Sequence, residues 1–110
     1  MARFVKGDIV VIPFPFSDLS ASKRRPALVL ADLPGNDIVL CQITSQQVRD
    51  GDAIELSDSD MVNGSLKKSS NIRPNRLFTA DKAIIVYKVG SITTVKFQQV
   101  RDKIVALLDS

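Results

Sequence analysis

The chain has 110 residues, of which 45% are hydrophobic and 25% charged, with a formal net charge of +3. These totals predict one globular domain over residues 1–110. The chain contains no histidine, which excludes imidazole metal ligands, Ser-His-Asp triads and paired-imidazole ribonuclease chemistry, and its single cysteine, Cys41, excludes an internal disulfide and favours a reducing compartment.

The sequence also predicts the compartment. No apolar stretch approaches the roughly 20 residues that span a bilayer. Lys6 and Asp8 interrupt the only N-terminal stretch that resembles a signal sequence. We therefore expect a cytoplasmic protein without a membrane segment.

The first quarter of the chain predicts a strand followed by a long loop. Residues 9–12 form a short run of branched apolar side chains, which predicts a buried strand ending at Pro13. Residues 14–22 contain a second proline and small polar residues, which favours a loop of about ten residues, a length usual in functional loops. Phe14 and Phe16 fit either core packing or a platform for stacking.

A cationic run joined to an apolar strand is the segment on which the functional prediction depends. Lys23, Arg24 and Arg25 are adjacent, and residues 27–31 predict a second buried strand. Pro26 cannot donate a ladder hydrogen bond, so we place it at the first position of that strand. It also forces Arg25 into an extended conformation. A cation is thus fixed at the entrance to a buried strand, where it can serve as a functional group, a salt-bridge partner or a solvated loop end.

The next segment predicts a turn and a third strand. Residues 33–36 are rich in turn formers, and residues 37–44 read as an apolar strand. Cys41 lies inside this run, which predicts a buried, unreactive thiol. From Thr44 onwards the chain turns to hydroxyls and amides, so polar groups gather at the end of the strand.

The rest of the β region is less regular. Residues 53–56 alternate as a half-exposed fourth strand, and residues 57–63 predict one helical turn closed by a glycine. Residues 69–78 predict a broken strand in which Pro74 marks an edge or a bulge. Residues 83–89 are strongly β-forming.

The period of the pattern changes at the end of the chain. Apolar side chains recur there at intervals of three and four, as in an amphipathic helix, with Thr93 or Thr94 as its N-cap. The members of this stripe are Phe97, Val100, Ile104, Leu107 and Leu108. Five or six short strands favour closure into a small barrel, because closure removes exposed sheet edges, and the helix would cover one opening or flank.

Positive charge is concentrated in two stretches without acids. The stretches lie between residues 19 and 31 and between residues 61 and 80. Their cations are Lys23, Arg24, Arg25, Lys67, Lys68, Arg73 and Arg76. The pattern favours a surface that faces a polyanion, and two solvated loops are the alternative.

Four segments, in this order, resemble the PemK/MazF family of toxin endoribonucleases. They are Lys6-Gly7-Asp8-Ile9-Val10, Arg25-Pro26-Ala27-Leu28-Val29-Leu30, Ile43-Thr44-Ser45-Gln46 and Ile72-Arg73. The resemblance implies a mainly β (α+β) fold, an SH3-like barrel of five to seven strands with a C-terminal helix, assembled as a homodimer. It also implies a toxin that cleaves single-stranded RNA (mRNA) at selected sequences without metal or cofactor, and so inhibits translation and growth. A cognate antitoxin would fill the RNA groove with an acidic segment.

The resemblance assigns roles to individual residues. Arg25 and Thr44 match the family's catalytic arginine and threonine, and the chemistry agrees. Attack by the RNA's own 2′-hydroxyl needs alignment, charge stabilisation and two proton transfers, and a guanidinium fork suits phosphate oxygens. The products would be a 2′,3′-cyclic phosphate and a 5′-hydroxyl. RNA binding is expected of Lys23, Arg24, Phe14, Phe16, Ser45, Gln46, Lys68, Ser70, Asn71 and Arg73.

The sequence departs from the family at its carboxylates. The positions that carry an acid in family members correspond to Ser20 and Ser70. The remaining candidates for a proton-transfer group are Arg25 itself, Asp8 and Asp18. Two other functions stay open: a catalytically silent RNA-binding barrel, and a protein-binding toxin like the CcdB gyrase poisons. The latter typically act through a C-terminal tryptophan, and this chain contains no tryptophan.

Overall fold

The computed structural model describes residues 4–15, 22–45, 51–66 and 68–110, and for residues 14, 15, 22 and 23 it describes the backbone. Its strands are β1 (Asp8–Pro15), β2 (Ser22–Asp32), β3 (Asp37–Thr44), β4 (Ile54–Leu56), β5 (Met61–Asn63), β6 (Ser70–Asp81) and β7 (Tyr87–Ile92). One α-helix, α1 (Thr94–Asp109), follows β7, and single 3₁₀ turns lie at Asp58–Asp60 and Lys82–Ile84.

The strands form a single sheet in which every neighbouring pair is antiparallel. The spatial order is β4-β6-β3-β2-β1-β7-β5, so the two short strands lie at the edges. The sheet curls and buries apolar side chains on both faces. The expected small β fold with a closing C-terminal helix is confirmed.

Strand alternation divides the interior into two cores. The helix-side core contains Ile9, Leu28, Cys41, Ile43, Leu56, Ile72, Ile92 and Val100 of α1. The opposite core contains Val10, Ile12, Ala27, Val29, Ile38 and Leu40. Burial raises the pKa of the Cys41 thiol to about 12, because it penalises the thiolate, which agrees with the expected unreactive cysteine.

The first hairpin is longer than the sequence indicated. β1 continues through Pro13 to Pro15 and β2 begins at Ser22, so the three described residues of the predicted loop 14–22, which are residues 14, 15 and 22, belong to strands. The carbonyl of Val11 accepts from Val86 N at 2.8 Å, beside β7. Alternate residues of a strand present their backbone groups to the same side, so Pro13 and Pro15 point their nitrogens to the side of β7. The β1–β7 ladder ends at the pair Val11 and Tyr87, so neither proline has to donate a ladder hydrogen bond there.

Two other predicted elements were partly wrong. The single turn predicted over 57–63 is present at Asp58–Asp60, but residues 61–63 form β5, which pairs with β7. Residues 83–89 begin with a 3₁₀ turn, and their strand character starts only at Tyr87. In β5, pairing with a distant strand outweighed the local pattern, whereas the ladder between β7 and β1 begins only at Tyr87. The bulge predicted at Pro74 is confirmed, since the register of β6 against β3 shifts between Arg73 and Leu77.

The helix begins as expected. The Thr93 hydroxyl accepts a hydrogen bond from Lys96 N at 3.2 Å and acts as the N-cap. Val100 is buried against the sheet, whereas Leu108, assigned to the same apolar stripe, is 76% exposed. In the described ranges, no helix combines the length and apolarity that a membrane crossing requires.

Candidate functional site

Arg25 lies inside a central strand rather than at a strand entrance. β2 runs between β1 and β3, and Arg25 pairs with Ile12 of β1. Pro26 pairs with Val11, whose backbone groups point towards β7, so Pro26 presents its nitrogen towards β3. The β2–β3 ladder ends immediately beside it. A proline is tolerated in mid-strand for this reason, and it fixes the extended backbone of the arginine.

The register of the sheet brings Arg25 and Thr44 together. The last β2–β3 pair is Ala27 with Gln42. The ladder ends there, and the same register continued for two residues leads to Arg25 on β2 and to Thr44, the last residue of β3. Directly opposed residues on antiparallel strands have Cβ atoms about 5 Å apart. Both side chains therefore lie on the same face of the sheet, just beyond the last β2–β3 pair.

The line of opposed residues extends across two further strands. Thr44 pairs with Asn71 of β6, and Asn71 pairs with Glu55 of β4. We call Arg25, Thr44, Asn71 and Glu55 the site row. The first three are partly buried, and Glu55 is exposed.

The site row faces away from the helix-side core. Its sequence neighbours Ile43, Leu56 and Ile72 are fully buried in that core, and successive residues of a strand point to opposite faces. The row begins beside Ile12, which is 1% exposed in the opposite core. Glu55 is thus the exposed end of the row.

A second line of residues runs beside the site row on the same face. Gln42 of β3 pairs with Ala27 on one side and with Arg73 on the other. Arg73 follows Asn71 by two residues, so both side chains lie on the face that carries Arg25 and Thr44. Four of the predicted site residues are therefore brought together.

Three other predicted site residues lie on the opposite face. Arg24, Lys68 and Ser70 line a cavity of about 640 Å³ between β1, β2, β7 and the segment after β5. Ser70 is buried, and its hydroxyl donates to the carbonyl of Lys68 at 3.2 Å. The structure separates this group from Arg25 by the thickness of the sheet.

The remaining predicted residues are only partly described. Ser45 follows the end of β3 and is exposed. The backbones of Phe14 and Lys23 pair in the β1–β2 hairpin. Phe16 and Gln46 lie outside the described residues.

Asp8, which the sequence offered as a proton-transfer group, is buried and hydrogen-bonded in the N-terminal turn. Its side chain is 2% exposed, accepts from Val5 N at 2.9 Å and lies 3.4 Å from the ammonium of Lys88. Asp8 precedes Ile12, the residue beside the row, by four positions, which is about 13 Å along a strand. Asp8 therefore holds the N-terminal turn and does not reach the site row. Asp18 lies outside the described residues.

The sequence reasoning missed Gln42 and Glu55. The alternation Ile54-Glu55-Leu56 places the carboxylate on the outer face of β4, but only the pairing with Asn71 shows that Thr44 lies on the same face. Gln42 was passed over inside an apolar run. Within the described ranges, no group of three or more Asp, Glu or Cys side chains is placed to hold a metal ion.

Residues 5–108 match the family model of the PemK-like, MazF-like toxins of type II toxin–antitoxin systems. No protein of curated function matches the sequence at a significant level.

Several solved structures share the fold. An endoribonuclease in complex with its cognate antitoxin, from a mycobacterial species, has a TM-score of 0.77 at 12% identity and covers 97% of this chain and 96% of its own. MazF in a MazE–MazF complex from Deinococcus radiodurans has a TM-score of 0.76 at 20% identity over 96% and 95% of the two chains. The Mycobacterium tuberculosis toxin MazF-mt6 has a TM-score of 0.73 at 15% identity over 93% and 96%. At these identities the structural likeness shows the fold, and the family model, matched over residues 5–108, shows that the chain belongs to the PemK-like, MazF-like toxins of type II toxin–antitoxin systems.

Proposed function

We propose that this chain is an endoribonuclease toxin that cleaves single-stranded RNA at selected sequences. The proposal is supported chiefly by the positions of Arg25 and Thr44, which lie on neighbouring strands, on one face of the sheet and just beyond the last β2–β3 pair. The names of the structural neighbours support it, since two of them are described as an endoribonuclease and as MazF.

The proposed reaction uses the RNA's own 2′-hydroxyl as nucleophile. The O2′–P bond forms as the P–O5′ bond breaks, the 2′-hydroxyl loses a proton and the leaving O5′ gains one. The products are a 2′,3′-cyclic phosphate and a 5′-hydroxyl. The step requires the target nucleotide in line and compensation of the charge that grows on the phosphate oxygens.

Arg25 and Thr44 supply that compensation. The guanidinium presents paired N–H donors to the phosphate oxygens, and the threonine hydroxyl donates one more hydrogen bond. Both groups lie on strands of one continuous sheet, so little reorganisation is needed when the charge develops. The sequence offered two carboxylates and Arg25 itself for proton transfer; Asp8 lies too far from the site row, so Asp18 and Arg25 remain as candidates.

RNA binding is assigned to the same face. Asn71 and Arg73 flank the catalytic pair and supply an amide that reads base edges and a cation for the backbone. We assign to the protein a homodimeric state, a cytoplasmic location and a cognate antitoxin whose acidic segment covers this surface. Charge complementarity and occlusion of the site row would together neutralise the toxin.

The test is cleavage of a mixed-sequence RNA by the purified protein in excess EDTA, with the products analysed by mass. We expect fragments ending in 2′,3′-cyclic phosphate, or its opened 3′-phosphate, with 5′-hydroxyl partners. Arg25→Ala should abolish cleavage while the circular dichroism spectrum is retained, and Arg101→Ala, an exposed arginine of α1, is the matched control. Loss of cleavage in EDTA, or full activity of Arg25→Ala, contradicts the mechanism. RNA binding without cleavage by the wild type would identify a silent RNA-binding barrel.

A further inference from the structure

We propose that Glu55, together with Asn71, selects the base adjacent to the scissile phosphate and favours a base that presents amino donors, guanine above all. This inference rests on the proposed function, because it assigns a specificity-determining residue to the same site. The observation behind it is that Glu55, the exposed end of the site row, carries a carboxylate.

Two independent pairings place Glu55 on this face. Asn71 pairs with Thr44 in the β3–β6 ladder and with Glu55 in the β4–β6 ladder. The flanking residues Ile54 and Leu56 pack in or against the helix-side core, so Glu55 points away from it, as Thr44 and Asn71 do. Its backbone is also held, because Lys96 of α1 donates to the Glu55 carbonyl at 3.0 Å.

Distance decides between catalysis and recognition for this carboxylate. Neighbouring strands lie about 4.8 Å apart, so Thr44 and Glu55, two strands apart, have backbones separated by roughly 10 Å. A general base must approach its proton to within about 3 Å. An extended glutamate side chain spans about half of that gap, so the space over Asn71 lies between the carboxylate of Glu55 and the hydroxyl of Thr44. The gap accommodates a base lying over Asn71.

The chemistry of the carboxylate selects the kind of base. An ionised carboxylate only accepts hydrogen bonds, through two oxygens. Guanine presents its N1–H and N2–H donors side by side on the Watson–Crick edge, and cytosine and adenine each present one amino group there. Uracil presents a single N–H between two carbonyl oxygens, which the carboxylate repels. The amide of Asn71 donates and accepts, so it complements a carbonyl next to the donors.

The negative charge also acts against wrong partners. A carboxylate beside an RNA path repels phosphates and lowers non-specific affinity, unless its hydrogen bonds to a base compensate. Glu55 therefore contributes to specificity by penalising an unmatched base as well as by binding a matched one.

The test compares wild-type protein, Glu55→Gln and Asp37→Asn. Asp37 is an exposed acid at the far end of β3 from Thr44 and serves as the matched control. Cleavage sites in a random RNA are mapped by sequencing their ends. In parallel, a random pool with 2′-fluoro riboses, which lack the attacking hydroxyl, is selected for binding.

We expect the wild type to disfavour uracil at one position next to the cleaved bond. Glu55→Gln should lose this discrimination by roughly 10-fold to 100-fold, the range of one good base contact, because its amide also donates. The variant should bind the unselected pool more tightly than the wild type does and should keep the wild-type midpoint of thermal unfolding. A purely structural role for Glu55 would not produce this combination. Asp37→Asn should behave as the wild type does.

The two arms separate failure of this inference from failure of the proposed function. If Glu55→Gln cleaves RNA with the same base preference next to the cleaved bond as the wild type, the role of Glu55 is overturned and the proposed nuclease function stands. Base-selective binding that depends on Glu55 without any cleavage overturns the proposed reaction and leaves the role of Glu55 intact. Absence of both cleavage and selective binding overturns both.

Discussion

Replacement of Thr44 by valine tests the central geometric claim with the smallest change of shape. Valine keeps the β-branched outline and suits a strand, so pairing with Asn71 should survive. Only the hydroxyl is removed. If Thr44 donates to a phosphate oxygen as charge develops, the loss should appear in kcat rather than in KM.

The expected magnitude follows from the position of the hydroxyl. Loss of one preorganised donor to a developing oxyanion costs about 3 kcal/mol, or roughly two to three orders of magnitude in kcat. Arg25→Lys keeps the charge but removes the planar fork, and should also lower kcat strongly. If both groups act on one phosphate, as the register continued from Ala27 and Gln42 leads us to expect, the double variant should lose less than the product of the single losses.

The assay is single-turnover cleavage of a defined RNA under saturating protein. Thr79→Val is the matched control, because Thr79 is an exposed threonine of the same sheet that pairs with Val39 on the other face. A Thr44→Val rate within about threefold of the wild type refutes the assigned role, since a transition-state donor should cost far more. Fully multiplicative losses in the double variant refute the shared phosphate.

Three further predictions concern binding, backbone and thiol. Arg73→Ala should weaken RNA binding and reduce the magnitude of the slope of log affinity against log salt concentration by about 0.7 for each lost phosphate contact. Titrations at several salt concentrations measure this slope. An unchanged slope would show that Arg73 makes no phosphate contact. Gly64→Ala should clearly lower the urea midpoint, because the added Cβ would lie 2.2 Å from the carbonyl oxygen of Val89 at a φ of +74°. Gly35→Ala is the control: at a φ of +80° with open space around the added Cβ, it should lower the free energy of unfolding by only about 1 kcal/mol. Equal losses of stability in the two variants would contradict the contact at Gly64. The pKa of the Cys41 thiol is about 12 in the folded state and exceeds the unfolded value, so its contribution to stability is complete below the unfolded pKa and is lost as pH rises towards 12. The free energy of unfolding in urea should therefore decline less steeply between pH 8 and 10 for Cys41→Val than for the wild type. Parallel declines would contradict the burial of the thiol.

Several elements were predictable because local chemistry decides them. The bounds of β3, the capping role of Thr93 and the burial of Cys41 follow from an apolar run, a hydroxyl before a helix and a thiol inside a strand. The segment around Pro13 was misread for the opposite reason. A proline breaks a strand only if its missing N–H faces a partner, and that depends on where β7 ends.

The site divides in the same way. The sequence by itself selected Arg25, Pro26 and Thr44, because a fixed guanidinium and a strand-end hydroxyl are local features. The tertiary structure alone decided that Thr44 pairs with Asn71, that Glu55 joins the same row and that Arg24 lies on the other side of the sheet. Neighbouring residues of a strand always point to opposite faces, but which face carries the site depends on where the helix packs and on the register of four strands. Register is a property of residues far apart in the chain, and no local pattern contains it.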